Sequence, residues 1–71
     1  MNPENIQVYW FEWRLDGKPV SAAYPNVEAA GRDPLVASEK FDELDYELWF
    51  KAFTGKEAKI DLDWACEAGR I

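Results

Sequence analysis

The sequence predicts a small α+β domain in which two β-hairpins form one antiparallel sheet and a single helix packs across one face, in the order ββαββ. Three observations support this prediction. They are an Asp-Gly pair between two strand-like segments, an Asp-Pro pair that begins an amphipathic segment, and a strict alternation of apolar and charged residues near the end of the chain. The chain has 71 residues, enough for one small domain over 1–71.

The first hairpin is predicted from Ile6 to Tyr24. Ile6–Leu15 is rich in β-branched and aromatic residues, and Asp16-Gly17 suits a type I′ turn, whose two central positions both have positive φ. A two-residue turn sets four cross-strand pairs, which are Leu15 with Lys18, Trp13 with Val20, Phe11 with Ala22 and Tyr9 with Tyr24. This register leaves Trp10 on the outer side of the hairpin. The residues that it places on the core face are Tyr9, Phe11, Trp13, Val20, Ala22 and Tyr24.

The helix is predicted from about Pro34 to Leu44. Before it, Asn26 can cap a short turn that closes at Gly31. Asp33-Pro34 is a stronger start, because aspartate is a good N-cap and proline is favoured at the first helical position. An apolar stripe then recurs at spacings of four, three and four residues. Its members are Ala37, Phe41, Leu44 and Leu48.

The second hairpin is predicted over the last third of the chain. Residues 46–53 fit either a strand or more helix, and the strand is favoured because a turn through 54–56 would pair it with the next segment. That segment alternates without exception. Its apolar residues are Ala58, Ile60, Leu62 and Trp64, and its charged residues are Glu57, Lys59, Asp61 and Asp63. After Ala65 we expect a frayed tail or one helical turn ended by Gly69.

The composition lacks the usual catalytic and metal-binding sets. There is no histidine and only one cysteine, Cys66, which excludes a Ser-His-Asp triad, a Cys-His pair and the usual zinc ligands. Asp61 and Asp63 lie two residues apart, but the spaced acids of a calcium loop are absent, so a solvated strand face is the favoured interpretation. We therefore predict that the protein is not an enzyme and holds no metal or cofactor.

The net charge of −6 at pH 7 limits the possible partners. Phosphate contacts need lysine and arginine, so direct binding of nucleic acid or of an anionic membrane is not expected. The first residues lack a basic region followed by an apolar stretch, and no apolar run approaches the about 20 residues of a membrane span. We expect a soluble cytoplasmic protein.

Carboxylates are concentrated in the second half of the chain. Nine of the fourteen lie between Glu39 and Glu67, against four lysines. Carboxylates repeat at about 6 Å on a helix and about 6.6 Å on a strand, near the separation of adjacent DNA phosphates. The first predicted acidic ridge is Glu39, Asp42, Glu43, Asp45 and Glu47, and the second is Asp61 and Asp63. Trp49 and Trp10 are candidate anchors, although the favoured interpretation is that the helix or the tail covers both rings, as is usual for large aromatic residues in small domains.

In length, acidity, aromatic content and absence of catalytic residues, the whole chain resembles the small single-domain inhibitors made by bacteriophages, anti-CRISPR proteins in particular. Members of that group that act as DNA mimics block the DNA-binding or PAM-recognition surface of a CRISPR effector. The resemblance implies an inhibitor that binds a basic nucleic-acid-binding protein in the host cell. The alternative is a small structural or assembly module that binds a partner, or itself, through an aromatic patch. A monomer or a weak homodimer is expected.

Overall fold

The computed structural model describes residues 7–67, with side chains as far as residue 65. The elements in chain order are β1 (Val8–Leu15), β2 (Lys18–Pro19), α1 (Val27–Ala30), α2 (Lys40–Glu43), β3 (Glu47–Ala52), β4 (Glu57–Lys59) and α3 (Leu62–Glu67). The four strands form one antiparallel sheet in the order β2-β1-β3-β4. The α+β class is therefore as predicted. In place of one helix, two short helices separate the hairpins and a third follows them.

The first hairpin begins as predicted and then changes register. Asp16 and Gly17 have φ of 53° and 79°, as a type I′ turn requires, and Leu15 pairs with Lys18. Val20 N–H then donates to Trp13 O at 2.9 Å, which agrees with the predicted pair. The return strand does not continue, because Trp13 N–H donates to the Ser21 hydroxyl at 2.9 Å in place of a backbone carbonyl.

The other two predicted pairs of this hairpin are wrong. Phe11 pairs with Tyr24, through hydrogen bonds of 2.8 and 2.7 Å, and not with Ala22. The return segment has two more residues between Lys18 and Tyr24 than the predicted register allows. Tyr24 therefore lies opposite Phe11 and not opposite Tyr9. The Ser21 side chain is the physical cause, since its hydroxyl ends the backbone ladder early.

Tyr9 lies at a β-bulge and not on the core face. Val8 pairs with Ala52 but Trp10 pairs with Lys51, so one residue of β1 has no partner of its own on β3. The predicted alternation fails at this point. The side chain of Tyr9 is 58% exposed, and its ring stacks on Phe53 at a centroid distance of 4.3 Å. Val20 and Ala22 are also exposed, so the predicted core face retains only Phe11, Trp13 and the half-buried Tyr24.

The predicted helix from Pro34 to Leu44 is wrong over most of its length. Asp33 does cap the segment, since Leu35 N–H donates to its carboxylate at 2.8 Å. The following backbone bonds each span three residues, from Val36 to Asp33 and from Ser38 to Leu35, which makes successive turns. Only α2 is helical. Like charges three or four residues apart destabilise a helix, and this segment has few lysines to offset them.

The predicted apolar stripe is also wrong. Ala37 and Leu44 are exposed, and Leu48 belongs to β3. The residues of this segment that pack against the core are Leu35, Val36 and Phe41. Their spacing of one and then five residues does not follow a helical face, so contacts with the sheet have overridden the periodicity of the local sequence.

The short turn predicted at Asn26 is confirmed as α1. Ala29 N–H donates to the Asn26 side-chain oxygen at 2.7 Å, and Val27 and Ala30 are buried. Gly31 follows in a right-handed conformation with φ of −67°. The carbonyl of Ala30 accepts a buried hydrogen bond of 2.8 Å from the indole nitrogen of Trp13. This bond ties α1 to the centre of the sheet.

The second hairpin confirms the strand interpretation for residues 46–53. Ala52 N–H donates to Lys56 O at 2.8 Å, and Gly55 adopts a φ of 92° in the turn between β3 and β4. The predicted strand through Trp64 is wrong beyond Lys59. Asp61 accepts from Asp63 N–H at 3.0 Å and so caps α3, in place of continuing the sheet. Gly69, the predicted end of the tail, lies outside the described residues.

One face of the sheet carries the core. Its buried members on β1 and β3 are Phe11, Trp13, Leu48, Phe50 and Ala52. All three short helices and the turns between them contribute residues that belong to the core cluster or pack against it. We call the opposite side the outer face, and its residues on β1, β3 and β4 are Trp10, Glu12, Arg14, Glu47, Trp49, Lys51, Glu57 and Lys59. None of the helices in residues 7–67 has the length and apolar character needed to cross a bilayer.

Candidate functional site

An acidic groove lies where β3 begins and β4 ends. It is open, has a volume of about 500 Å³ and is lined by two chain segments, 45–47 and 59–63. It brings together four of the predicted acidic residues, one pair from each predicted ridge, which are Asp45, Glu47, Asp61 and Asp63. We call this feature the acidic groove.

Antiparallel pairing brings the two segments together. Trp49 pairs with Lys59, and Ile60 N–H donates to Leu48 O at 2.8 Å, so the residues just beyond these pairs face each other. Ile60 is buried beneath the groove, and Tyr46 is half-buried with its ring stacked on Phe41 at 5.8 Å. The groove therefore has apolar walls fixed to the core and a charged rim.

The other three predicted ridge residues lie outside the groove. Glu39, Asp42 and Glu43 are exposed in and just before α2. Together with Asp45 and Asp63, they form no ion pair with any side chain that the structure describes. The predicted rows with a regular spacing near 6 Å are wrong, because α2 has only four residues and Asp63 lies in a helix.

Glu47 is the groove carboxylate with the best-defined partners. It accepts hydrogen bonds from Lys59 Nζ at 3.1 Å and from the indole nitrogen of Trp49 at 3.3 Å. These two contacts, the lysine first, lower the pKa of Glu47 below its ordinary value of 4.5. The anchor residue Trp49 is thus positioned by the same carboxylate that lines the groove.

The pH dependence of this contact has a definite sign. A carboxyl pKa that is lower in the folded state stabilises the fold above about pH 4.5, and this contribution is lost as the pH falls through the folded pKa. We expect an NMR titration of the Glu47 carboxyl to show this lowered pKa, and Lys59→Met to move it upward. Lys56→Met is the matched control and should leave it unchanged. An unaltered Glu47 titration in Lys59→Met would contradict the assignment.

Trp10 and Trp49 lie on the outer face, where both rings are half-buried beside Arg14. The guanidinium carbon lies 4.7 Å from the Trp49 ring centroid and 5.7 Å from that of Trp10. The same guanidinium pairs with Glu12 at 2.7 Å and with Glu57. Partial burial opposes its charge, but the hydrogen bonds that Arg14 donates to Glu57 and Glu12 outweigh this effect and raise the pKa of Arg14 above its ordinary value.

The sequence analysis did not identify Arg14 as the centre of a cluster. Its other members are Trp10, Trp49, Glu12 and Glu57. The cluster depends on strand order, because β3 and β4 bring Trp49 and Glu57 to β1 from more than thirty residues away in the chain. The predicted anchors Trp10 and Trp49 are therefore also parts of a cation–π and ion-pair cluster that holds the outer face together.

Removing Arg14 is expected to destabilise the fold. Its side chain and that of Glu12 are each 13% exposed, so the variant leaves a largely buried carboxylate without its partner. We expect Arg14→Ala to lower the free energy of unfolding by about 1–3 kcal/mol, measured by urea denaturation. Lys59→Ala removes a more exposed ion pair, with Lys59 at 56%, and should cost about 0–1 kcal/mol. Equal losses in the two variants would reject a central role for Arg14.

Sequence reasoning also missed the aromatic pair Tyr9–Phe53. The two rings are 58% and 53% exposed and stack with an interplanar angle of 22°, at the end of the sheet where β1 begins and β3 ends. Phe53 N–H donates to Gln7 O at 3.0 Å, and this bond joins the residue before β1 to the residue after β3. The only local signal was the position of Phe53 beside a predicted turn, because the bulge that exposes Tyr9 depends on the pairing of β1 with β3.

The described residues do not bring three or more acidic or cysteine side chains close enough together to hold a metal ion. Comparison with protein-family models, with curated proteins and with solved structures finds no match to this chain.

Proposed function

We propose that the chain is a non-catalytic inhibitor that binds a basic nucleic-acid-binding protein through its acidic groove. The resemblance to phage inhibitors implies one such target, which is the DNA-binding or PAM-recognition surface of a CRISPR effector in the host cell. The observation that carries the proposal is that Asp45 and Glu47 share one groove with Asp61 and Asp63. Two sequence-distant acidic segments thus meet in one groove, where Lys59 holds Glu47 and the remaining carboxylates can face a partner.

The free carboxylates favour this function. Asp45 and Asp63 on the groove, and Asp42 and Glu43 beside it in the chain, are exposed and form no ion pair with the described side chains. Arginine and lysine side chains that normally hold phosphates can donate charge-assisted hydrogen bonds to them. The net charge of −6 also steers the chain toward a basic surface.

The shape of the groove supports contact with long basic side chains. The half-buried Tyr46 and Leu62 line it between the carboxylates. An arginine bound there can lay its aliphatic stem on these apolar walls while its guanidinium reaches the rim. Apolar contact of this kind helps to compensate the cost of removing charged groups from water.

A competition experiment tests the proposal. Purified CRISPR effectors of several types are bound to labelled target DNA, and the chain is added in increasing amounts in a mobility-shift assay. We expect release of DNA from at least one effector at about 50 mM salt, and a fall in inhibitory potency of about tenfold or more at about 200 mM, because exposed charges are screened.

Two outcomes decide against the proposal. One is that the chain releases DNA from none of the effectors, and that no nucleic-acid-binding protein from a host lysate is retained by it at low salt. The other is inhibition that does not change with salt, which would indicate a contact made through apolar groups. Bovine serum albumin, another acidic protein, serves as the control for effects of net charge alone.

A further inference from the structure

We propose that two copies of the chain associate through the outer face, with the Tyr9–Phe53 pair at the centre of the contact. The interface is centred away from the acidic groove, with which the outer face shares Glu47 and Lys59, and it does not rest on the proposed inhibition. It concerns the face of the sheet opposite the strand residues that form the buried core.

The apolar part of this surface has the composition of an interaction site. Tyr9 and Phe53 are each more than half exposed, and Trp10, next to Tyr9, and Trp49 are half-buried. Phe53 directly follows the core-facing Ala52 in the turn after β3, and its exposed ring stacks on Tyr9 at this end of the sheet. Large aromatic side chains that are held rigid by stacking anchor interfaces at a low cost in conformational entropy.

The charges of the outer face select the occupant. Each of β1, β3 and β4 contributes one carboxylate and one cation, so the face is neutral although the chain carries −6. By strand, these residues are Glu12 and Arg14 on β1, Glu47 and Lys51 on β3, and Glu57 and Lys59 on β4. A strongly basic or acidic partner gains nothing from such a face. A second copy presents the same mixture of charges and meets it through a two-fold contact without the repulsion of the acidic surfaces.

The ion pairs already formed lower the cost of covering this face. Arg14 holds Glu12 and Glu57, and Lys59 holds Glu47, so contact with a second copy buries no carboxylate of this face without a cation. Lys51 is the one cation of the outer face outside these pairs among the described side chains. In a two-fold contact it can pair with a carboxylate of the second copy.

The contact leaves the acidic groove accessible. Glu47 begins β3 and Phe53 follows its end, a separation of about 20 Å along an extended strand. A dimer centred on the aromatic pair thus presents two grooves, one at each far end. Loss of dimerisation and loss of groove binding are for this reason separate experimental outcomes.

Analytical ultracentrifugation tests the proposal. We expect the weight-average mass of the pure chain to rise from 8.2 kDa toward twice that value between about 1 μM and about 1 mM, the range of weak interfaces. Tyr9→Ser combined with Phe53→Ser should raise the dissociation constant about tenfold or more. Leu44→Ser removes another exposed apolar side chain, 41% exposed and outside the sheet, and should leave it unchanged.

A charge variant tests the same face independently of the aromatic rings. Lys51→Glu makes the outer face acidic and should weaken the dimer, whereas Lys40→Glu makes the same change in net charge in α2 and should not. Circular dichroism confirms that each variant is folded. A chain that remains monomeric throughout the concentration range overturns the proposal. So does a dimer that the Tyr9–Phe53 and Lys51 variants leave as stable as their controls.

Discussion

Trp13→Ala is expected to unfold most of the protein at room temperature. The Trp13 side chain is 0% exposed, and it contacts Phe41 edge to face at a centroid distance of 5.2 Å. Truncating a buried tryptophan to alanine costs about 3–5 kcal/mol. A domain of this size is stable by an amount near the lower end of about 5–15 kcal/mol, so little stability remains. In a thermal melt we expect no cooperative transition, or a midpoint lowered by at least about 12 °C.

Two further variants separate the causes of this loss. Trp13→Phe retains an aromatic ring but removes the donor to the carbonyl of Ala30, a bond of 2.8 Å that ties α1 to the sheet. It should cost about 1–3 kcal/mol for the buried carbonyl left without a donor. Trp10→Ala is the matched control, because this ring is half-buried on the outer face, and it should cost about 1–2 kcal/mol. A Trp10 variant as unstable as the Trp13 variant would contradict the assignment of the core.

Reversing a single charge on the acidic groove is expected to have the largest effect on binding. Asp63→Lys places a cation on the rim, where it repels the basic partner, and should weaken binding about a hundredfold, since unfavourable charge pairs at an interface cost several kcal/mol. The measurement is isothermal titration calorimetry against the effector identified by the competition assay, at about 50 mM salt.

The chain offers a closely matched control for that variant. Glu28 is also exposed and also lies in the first turn of a short helix, but in α1 and outside the acidic groove. Glu28→Lys makes the same change in net charge and incurs the same unfavourable interaction with a helix N-terminus. We expect it to retain binding within about threefold, an effect of the long-range field alone. Equal losses in the two variants would show that only net charge matters, and would reject the groove as the site.

The exposed acids around α2 give a broader test of the same surface. Combined reversal of Asp42, Glu43 and Asp45 to lysine should abolish binding and leave the circular dichroism spectrum unchanged, because all three side chains are exposed. Unchanged binding by this folded variant would reject the proposed acidic binding site.

The sequence predicted those parts of the fold that depend on neighbouring residues. The Asp16-Gly17 turn, the Asn26 cap of α1 and the strand over residues 46–53 follow from backbone conformational preferences, a side-chain cap and alternation. The expected helix after Asp33 failed although its cap formed. Packing of Leu35 and Val36 against the sheet outweighed a weak helical preference there.

The acidic groove could be predicted only in part. The residues were recognisable by their charge, but as two separate ridges on a long helix and a long strand. It is the pairing of β3 with β4, and the end of β4 before Asp61, that bring both segments to one place. Asp61 caps α3, and Leu62 and Ala65 of that helix contact the core. Such core contacts are not visible in a local pattern.

What the sequence by itself determined is therefore the α+β class, the turns and caps, and the excess of carboxylates, because each of these depends on residue chemistry and on neighbours in the chain. The tertiary structure alone decided the bulge that exposes Tyr9, the central position of Arg14 and the single acidic groove. All three depend on strands distant in sequence meeting in a particular register, and that register is selected by the packing of the whole core.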